Sequence, residues 1–191
     1  MRFIFIGSNE NPNAGFRDYA MSLAFELQGM GAQALACKIN GNPEREGGLA
    51  VLEPNNISYS VLPAYDAQKL LEGLPADEPC VILGLGDPTF EALCEVYNQN
   101  TRDDVSFGFV SHLLEPSAQT ALETRHITAF TRSTDVDPAV DHVHLESVPH
   151  TATAEILKFH GGELVKNGDE RIAEIINLKK AFAVAVLNAG F

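Results

Sequence analysis

Residues that could bind a ligand follow a short apolar run near the start of the sequence, at residues 3–6. Amide side chains exchange hydrogen bonds with hydroxyl groups, and free N–H groups at the start of a helix attract anions. No GK[ST] or GxGxxG pattern accompanies these residues, so both a ligand-contacting loop and a polar turn agree with the sequence. The candidate binding residues of this segment are Ser8, Asn9, Asn11, Asn13 and Gly15.

A second candidate loop, residues 84–88, reads Gly-Leu-Gly-Asp-Pro and follows an apolar run. An order of strand, glycine turn and helix is that of a loop that binds a nucleotide. Asp87, which precedes a proline, also has the pattern of a helix N-cap, and its carboxylate would then occupy the position of a bound anion. Gly84, Gly86 and Asp87 are therefore candidates for ligand contact, with a tight turn and cap as the alternative.

Histidine is the side chain best suited to general-base chemistry near neutral pH. His112 and His150 each follow a predicted strand and are the candidate catalytic residues. His142 and His144 alternate along a predicted strand, so they face the same side of it. Zinc sites take three or four protein ligands, and no third ligand accompanies this pair. We predict no metal site and no bound cofactor.

The candidate loops are positioned by apolar runs that alternate with amphipathic stretches. Short continuous apolar runs are typical of strands buried on both faces, whereas apolar residues at three- and four-residue spacing indicate helices. The pattern predicts an α/β chain with a three-layer, Rossmann-like fold and a mostly parallel sheet of about six or seven strands. The candidate residues then lie at the carboxyl edge of the sheet, where ligands bind in open α/β folds.

Three local assignments bear on the architecture. The spacing of apolar residues from Phe16 to Met30 predicts a helix that ends at the glycines 29 and 31. Residues 40–56 are rich in Asn, Gly and charge and predict a connecting loop, and the apolar residues 181–187 predict a last strand. We predict one domain over residues 1–191, in which residues 179–191 either complete the sheet or open a second domain.

The charge of the chain bears on its partners, since 26 acidic residues outnumber 13 basic ones and leave a net charge of −13. Such a chain is repelled by nucleic-acid phosphates, so we predict no nucleic-acid partner. No apolar run approaches the roughly 18 residues of a membrane span. Cys37, Cys80 and Cys94 lie in apolar segments without a CxxC pair, which predicts reduced thiols and a cytoplasmic location.

Three segments carry a resemblance to a known family. They are the strand, polar loop and helix at residues 3–31, the unit formed by residues 80–86 and 106–116, and the segment at residues 127–135 with its continuation at 143–151. Their order resembles the amino-terminal half of a GT-B glycosyltransferase, and more narrowly the mitochondrial-fission family of nucleotide-sugar glycosyltransferases. The resemblance covers most of residues 1–178, and its motifs are patterns of elements and loops.

The resemblance implies that the chain is the acceptor-side domain of a glycosyltransferase. A sugar or glycan would lie across residues 9–15, Gly86, Asp87 and His112, with a nucleotide sugar as co-substrate. Such an enzyme binds its donor mainly on a second Rossmann domain, which the strand at 181–187 would open, so activity would require that domain.

Two alternatives remain open on the residues alone. The chain could be a stand-alone Rossmann-like module that binds a nucleotide or a small anion at the same edge without catalysis. It could also be an interaction domain that forms a homo-oligomer through its terminal strand, because sheet edges favour such pairing.

Overall fold

A computed structural model describes residues 1–8, 27, 29–31, 33–39, 49–53, 56–60, 67–145, 177 and 180–191. Residues 7, 8, 33–39, 49–53, 56–60 and 88 are described by their backbone alone. The predicted loop at 9–15, His150 and most of the predicted helix at 16–30 lie outside the described residues.

The described strands form one sheet in the order β4-β3-β2-β1-β5-β6-β7-β8. Six of them run parallel to one another, whereas β3 and β4 form an antiparallel hairpin at the end next to β2. This confirms the predicted α/β, Rossmann-like fold with a mostly parallel sheet. The strands are β1 (Arg2–Ser8), β2 (Gln33–Ile39), β3 (Leu49–Glu53), β4 (Asn56–Ser60), β5 (Cys80–Leu85), β6 (Val105–Ser111), β7 (Thr128–Thr131) and β8 (His142–His144).

Four α-helical segments and one 3-10 turn (Asp87–Thr89) accompany the sheet in the described part of the chain. Leu27 and Gly29 belong to the end of a further helix, and Gly31 follows it with a φ of 88°, so the predicted end of the first helix is confirmed where it is described. The positive φ is the left-handed conformation in which glycine commonly terminates a helix. The four segments are α1 (Ala67–Glu72), α2 (Phe90–Gln99), α3 (Pro116–Arg125) and α4 (residues 180–188).

Alternating side chains of β1 show how the sheet becomes the middle of three layers. Phe3 and Phe5 belong to one buried cluster, and Ile4 and Ile6 belong to another. Successive side chains of a strand point to opposite faces, so each cluster occupies one face. Leu27 and residues of α4 complete the first cluster, whereas α1, α2 and α3 supply the second. Burial on both faces explains why the apolar run of β1 is unbroken.

The segment at residues 181–187 corrects one prediction, because it is helical and lies on the sheet rather than within it. Phe182, Ala183 and Val186 are its buried residues, and this spacing is that of one helix face. A short apolar run cannot be assigned to strand or helix by its own periodicity, and alanine, the strongest helix former, recurs in it. The predicted terminal strand is therefore wrong, whereas a homo-oligomer stays a prediction.

The hairpin of β3 and β4 is a second feature that the sequence analysis did not predict. Residues 49–53, which were assigned to a loop, pair antiparallel with β2 and β4. The described sheet therefore has eight strands, one or two more than expected. Residues 49–52 form an apolar run of their own, but the Asn, Gly and charged residues around them dominate the composition of residues 40–56, which is why that segment indicated a loop. No helix in the described ranges is both long and apolar enough to cross a membrane.

Candidate functional site

The chain changes direction across the sheet between β1 and β5. From β1 it passes to β2 on one side, and it later returns to the other side of β1 to form β5. In open α/β sheets, the loops at such a switch point diverge and leave a crevice outside the carboxyl ends of the two strands. Gly7 pairs with Leu85 at these ends. The crevice is therefore flanked by the end of β1 and by the loop that follows β5.

The loop after β5 turns sharply at Gly86. Its φ of 88° and ψ of 160° lie in a region that is essentially restricted to glycine. The Gly86 N–H donates to the Val110 carbonyl at 2.8 Å, and the Gly86 carbonyl accepts from the Thr89 N–H and hydroxyl at 3.0 and 2.8 Å. Thr89 is fully buried. These bonds hold the turn in one conformation, which leaves Asp87 exposed at the crevice.

The carboxylate of Asp87 is tied to the neighbouring strand. The Ser111 hydroxyl, at the end of β6, lies 2.6 Å from Asp87 Oδ1 and 2.7 Å from the Leu113 carbonyl oxygen. Ser111 is 1% exposed. Its buried hydroxyl therefore links the end of β6 to the loop after β5. The predicted N-cap role of Asp87 is wrong: a 3-10 turn begins there, and Thr89 is the cap residue of α2.

Gly84, the third candidate of this loop, lies inside β5 and is buried. A Cβ at this position would lie 3.0 Å from Thr89 Oγ1 and 3.1 Å from Leu93 Cδ2. Glycine therefore allows β5 and α2 to pack closely, because a side chain at this position would point toward the helix. The structure assigns Gly84 to packing and leaves Gly86 and Asp87 as the glycine and the acid at the crevice.

A groove of about 520 Å³ adjoins the crevice, between the loops that follow β6 and β7. His112 is exposed and lines the groove, and no described residue bonds to its ring. Its candidate role as a general base stays a prediction. The other lining residues are Leu113, Leu114, Glu115, Pro116, Gln119, Arg132, Ser133, Thr134 and Asp135.

The shape of the groove is held by hydrogen bonds between its two loops. The Leu114 N–H donates to the Ser133 hydroxyl at 2.9 Å. The Gln119 amide donates at 3.1 Å to the carbonyls of Leu114 and Asp135 and accepts from the Asp137 N–H at 2.7 Å. With its donor and acceptor atoms so engaged, Gln119 is a structural residue of the groove. The bond between Leu114 and Ser133 is buried, and buried hydrogen-bonded groups rigidify their surroundings.

The charges at this edge are predominantly negative. Asp87, Glu115 and Asp135 are exposed, and Arg132 and His112 are the basic residues among those that line the groove. Three carboxylates against one guanidinium give the described part of the edge a negative potential, which disfavours an anion here. The anion-binding loop predicted at residues 9–15 lies outside the described residues.

The remaining candidates fall in three places. Ser8 is the last residue of β1, and its backbone pairs with Ile39 of β2. Asn9, Asn11, Asn13, Gly15 and His150 lie outside the described residues. His142 and His144 are exposed on β8, and His142 Nδ1 lies 2.9 Å from the Val140 carbonyl oxygen. Within the described ranges, no three His, Cys, Asp or Glu residues cluster as metal ligands would.

A second cavity, of about 510 Å³, lies at the opposite edge of the sheet. Arg125, His126 and His142 contribute its basic groups. Arg125 donates to the Ala121 carbonyl at 3.1 Å, and His126 is the C-cap of α3. Cations at a helix C-terminus are stabilised by the helix dipole, which explains the position of Arg125, and His126 ends the helix in a left-handed conformation with a φ of 51°.

Two thiols occupy structural positions. Cys80 and Cys94 are free, and burial raises the pKa of both. The Cys80 thiol also donates to the Glu78 carbonyl at 3.3 Å. A raised pKa leaves less of the reactive thiolate, in agreement with the reading of these cysteines as small apolar residues.

Sequence reasoning did not connect Ser111 with Asp87. It lies 24 positions from Asp87, and no motif connects the two. The signal that could have found it is the expected pairing of β5 with β6, which brings the ends of both strands to the same edge.

Comparisons with known proteins add little to this geometry. Neither the protein-family comparison nor the comparison with curated proteins finds a match. Among solved structures, the chain is similar to a protein described as "flavone reductase", with a TM-score of 0.42 and 11% sequence identity. The similarity covers 98% of this chain and 64% of that one, so this chain spans a little under two thirds of its length.

These findings correct the glycosyltransferase prediction. The resemblance required a strand at residues 181–187 that opens a donor domain, but these residues belong to α4, which packs on the sheet. The assignment of the chain as the acceptor-side domain of a glycosyltransferase is therefore wrong. The crevice between β1 and β5 agrees instead with the alternative, a Rossmann-like binding module.

Proposed function

We propose that this chain is a Rossmann-like module that binds a nucleotide or a small anion in the crevice between β1 and β5. The observation that carries the proposal is the switch point itself, because two adjacent parallel strands there lead into diverging connections. The crevice lies outside their carboxyl ends, which is where ligands bind in this class of fold.

The loop after β5 supports the proposal because it is rigid and lets the backbone approach a ligand closely. Gly86 adopts a conformation that a side chain would oppose. Three hydrogen bonds hold this conformation: the Gly86 N–H donates to the Val110 carbonyl, and the Gly86 carbonyl accepts from the Thr89 N–H and hydroxyl. A preorganised loop loses little conformational freedom on binding, so more of the contact energy appears as affinity.

The test is a binding screen of the isolated chain by isothermal titration calorimetry. The panel comprises AMP, ADP, ATP, UDP, FMN, NAD and NADP together with inorganic phosphate and pyrophosphate. We expect saturable binding of at least one compound at a stoichiometry of one. Amide NMR shifts should change at Gly86, Asp87 and His112 and remain unchanged at His126, on the opposite edge. Absence of saturable binding across the panel, or shift changes confined to the opposite edge, would refute the proposal.

A pair of glycine variants makes the test specific. Gly86→Ala places a Cβ where φ is 88°, so we expect the loop to distort and binding to weaken at least about tenfold. Gly29→Ala is the matched control, because nothing lies within 4 Å of its added Cβ. Equal binding by both variants would contradict the role of the Gly86 turn.

A further inference from the structure

We infer that the part of the crevice over β5, β6 and β7 takes the nucleoside portion of a nucleotide. Its sugar hydroxyls donate to Asp87, and its base packs on Leu113 beside the groove. This inference rests on the proposed function and decides between its two ligand classes, because it excludes a simple anion from this part of the edge.

The first argument is an excess of hydrogen-bond acceptors. The hydroxyl of Ser111 has one proton, and it faces two acceptors, Asp87 Oδ1 at 2.6 Å and the Leu113 carbonyl oxygen at 2.7 Å. A single O–H satisfies one of them at a time. Asp87 Oδ2 has no hydrogen-bond partner among the residues that the structure describes. A ligand that brings donors, such as the hydroxyls of a sugar, supplies what this cluster lacks.

The second argument is electrostatic. A phosphate placed at Asp87 would face that carboxylate, and the adjoining groove carries Glu115 and Asp135 beside Arg132. Like charges repel, and the surrounding solvent reduces this repulsion but does not cancel it. Uncharged hydroxyls face no such cost and form charge-assisted hydrogen bonds, which are roughly twice as strong as neutral ones.

The third argument is the apolar surface next to this cluster. Leu113 is 60% exposed, although the N–H of the neighbouring Leu114 is fixed by a buried hydrogen bond to the Ser133 hydroxyl. Its side chain is therefore held at the mouth of the groove by an ordered backbone. Ligand sites combine such apolar contact surface with a few placed polar groups. A planar base would cover Leu113, while Arg132 and Thr134 lie on the groove to contact its polar edge.

The experiment compares nucleosides with a simple anion by calorimetry and amide NMR. Adenosine, guanosine, cytidine and uridine are titrated alongside their 2′,3′-dideoxy counterparts and inorganic pyrophosphate. We expect at least one ribonucleoside to bind and to shift the amide signals of Asp87 and Leu113. Its dideoxy form should bind at least about tenfold more weakly, because a tenfold loss of affinity corresponds to about one good hydrogen bond. Pyrophosphate should leave the Asp87 and Leu113 amides unshifted.

Two variant pairs locate the contacts. Asp87→Asn keeps the side-chain shape and removes the charge, and we expect it to weaken ribonucleoside binding at least about tenfold, whereas the exposed control Asp103→Asn leaves it unchanged. Leu113→Ser should weaken both the ribonucleoside and its dideoxy form, whereas Val184→Ser, at an exposed position on α4, changes neither. Melting curves check that all four variants are folded.

The outcomes separate this inference from the proposed function. Nucleotide binding that is insensitive to the sugar hydroxyls and to Asp87→Asn would overturn the inference and leave the proposed function intact. Pyrophosphate binding that shifts the Asp87 and Leu113 amides would do the same. If no nucleotide, nucleoside or anion binds at all, the proposed function fails and the inference fails with it.

Discussion

The ring of Phe182 packs edge-on against the ring of Phe130, with 5.8 Å between the ring centroids and 80° between the ring planes. Phe130 lies on β7 and Phe182 on α4, and both are buried. This contact fastens α4 to the face of the sheet that Phe3 and Phe5 also line. It explains why the apolar residues 181–187 form a helix on the sheet rather than a further strand.

Phe182→Ala should therefore destabilise the fold. Removing a buried aromatic side chain costs about 3–5 kcal/mol, from lost burial and from the cavity that remains. Urea unfolding followed by circular dichroism measures the change in the free energy of unfolding. Val184→Ala is the control, because Val184 lies on the same helix but is 45% exposed, and we expect a loss within about 0.5 kcal/mol. Similar losses in both variants would contradict the packing of α4 described above.

Gly108→Ala should also destabilise the fold, because the middle of β6 has no space for a side chain. A Cβ there would lie 2.5 Å from Leu83 Cδ2 and 3.0 Å from Phe130 Cε2. Overpacking a core in this way costs about 1–3 kcal/mol. Gly29→Ala, at a helical position with open space, should leave stability unchanged or raise it by up to about 1 kcal/mol. Thermal unfolding of both variants measures the difference, and a neutral Gly108→Ala would show that the sheet is less tightly packed.

Arg102 should control the titration of Asp104. Its guanidinium donates two hydrogen bonds to the carboxylate, at 2.8 and 2.7 Å, and they hold the pKa of Asp104 below its usual value. A carboxyl whose pKa is depressed by folding contributes stability above its unfolded pKa, and this contribution is lost as the pH falls through the folded pKa. Arg102→Gln should raise the pKa of Asp104 toward that of an unfolded chain.

NMR titration of the Asp104 carboxyl carbon checks this prediction. Lys180→Gln removes an exposed cation elsewhere, on α4, and should leave the Asp104 titration unchanged. Arg102 also donates to the carbonyls of Pro75 and Glu78, so the melting temperature of Arg102→Gln is measured in parallel. An unchanged titration of Asp104 in a folded Arg102→Gln variant would show that the ion pair does not persist in solution.

Cys80 should react slowly with thiol reagents in the folded protein. Burial raises the pKa of its thiol, and the thiolate is the reactive form. In a variant that retains only this cysteine (Cys37→Ser with Cys94→Ser), we expect modification by Ellman's reagent at pH 8 to be at least about tenfold slower than in urea. The rate should rise as the pH increases past 9. Equal rates in the folded and unfolded chains would contradict the buried position.

Local signals predicted several features of the fold and the site. The unbroken apolar run of β1 predicted a strand buried on both faces, and the glycines at residues 29 and 31 marked the end of the first helix. Residues 84–88 predicted a strand, turn and helix in the order that the structure shows. These features depend on neighbours in the sequence, because periodicity and backbone freedom act over a few residues.

Other features of the site depend on residues that are distant in the sequence. The pattern around Asp87 indicated a helix cap, but its carboxylate bonds to Ser111 instead. Gly84 looked like part of a ligand loop, but it makes room for Thr89 and Leu93. In both cases the local pattern agreed with two structures, and a partner on another element decided between them.

The sequence by itself determined the class of this protein: an α/β chain with a mostly parallel sheet and candidate residues at its carboxyl edge. Alternation of apolar runs and amphipathic stretches is sufficient for that, because each element buries its own apolar face. The tertiary structure alone decided that residues 181–187 are a helix, that β3 and β4 extend the sheet, and that Ser111 holds Asp87 at the crevice. Strand order, register and packing are set by contacts between distant residues, and no short stretch of sequence contains them.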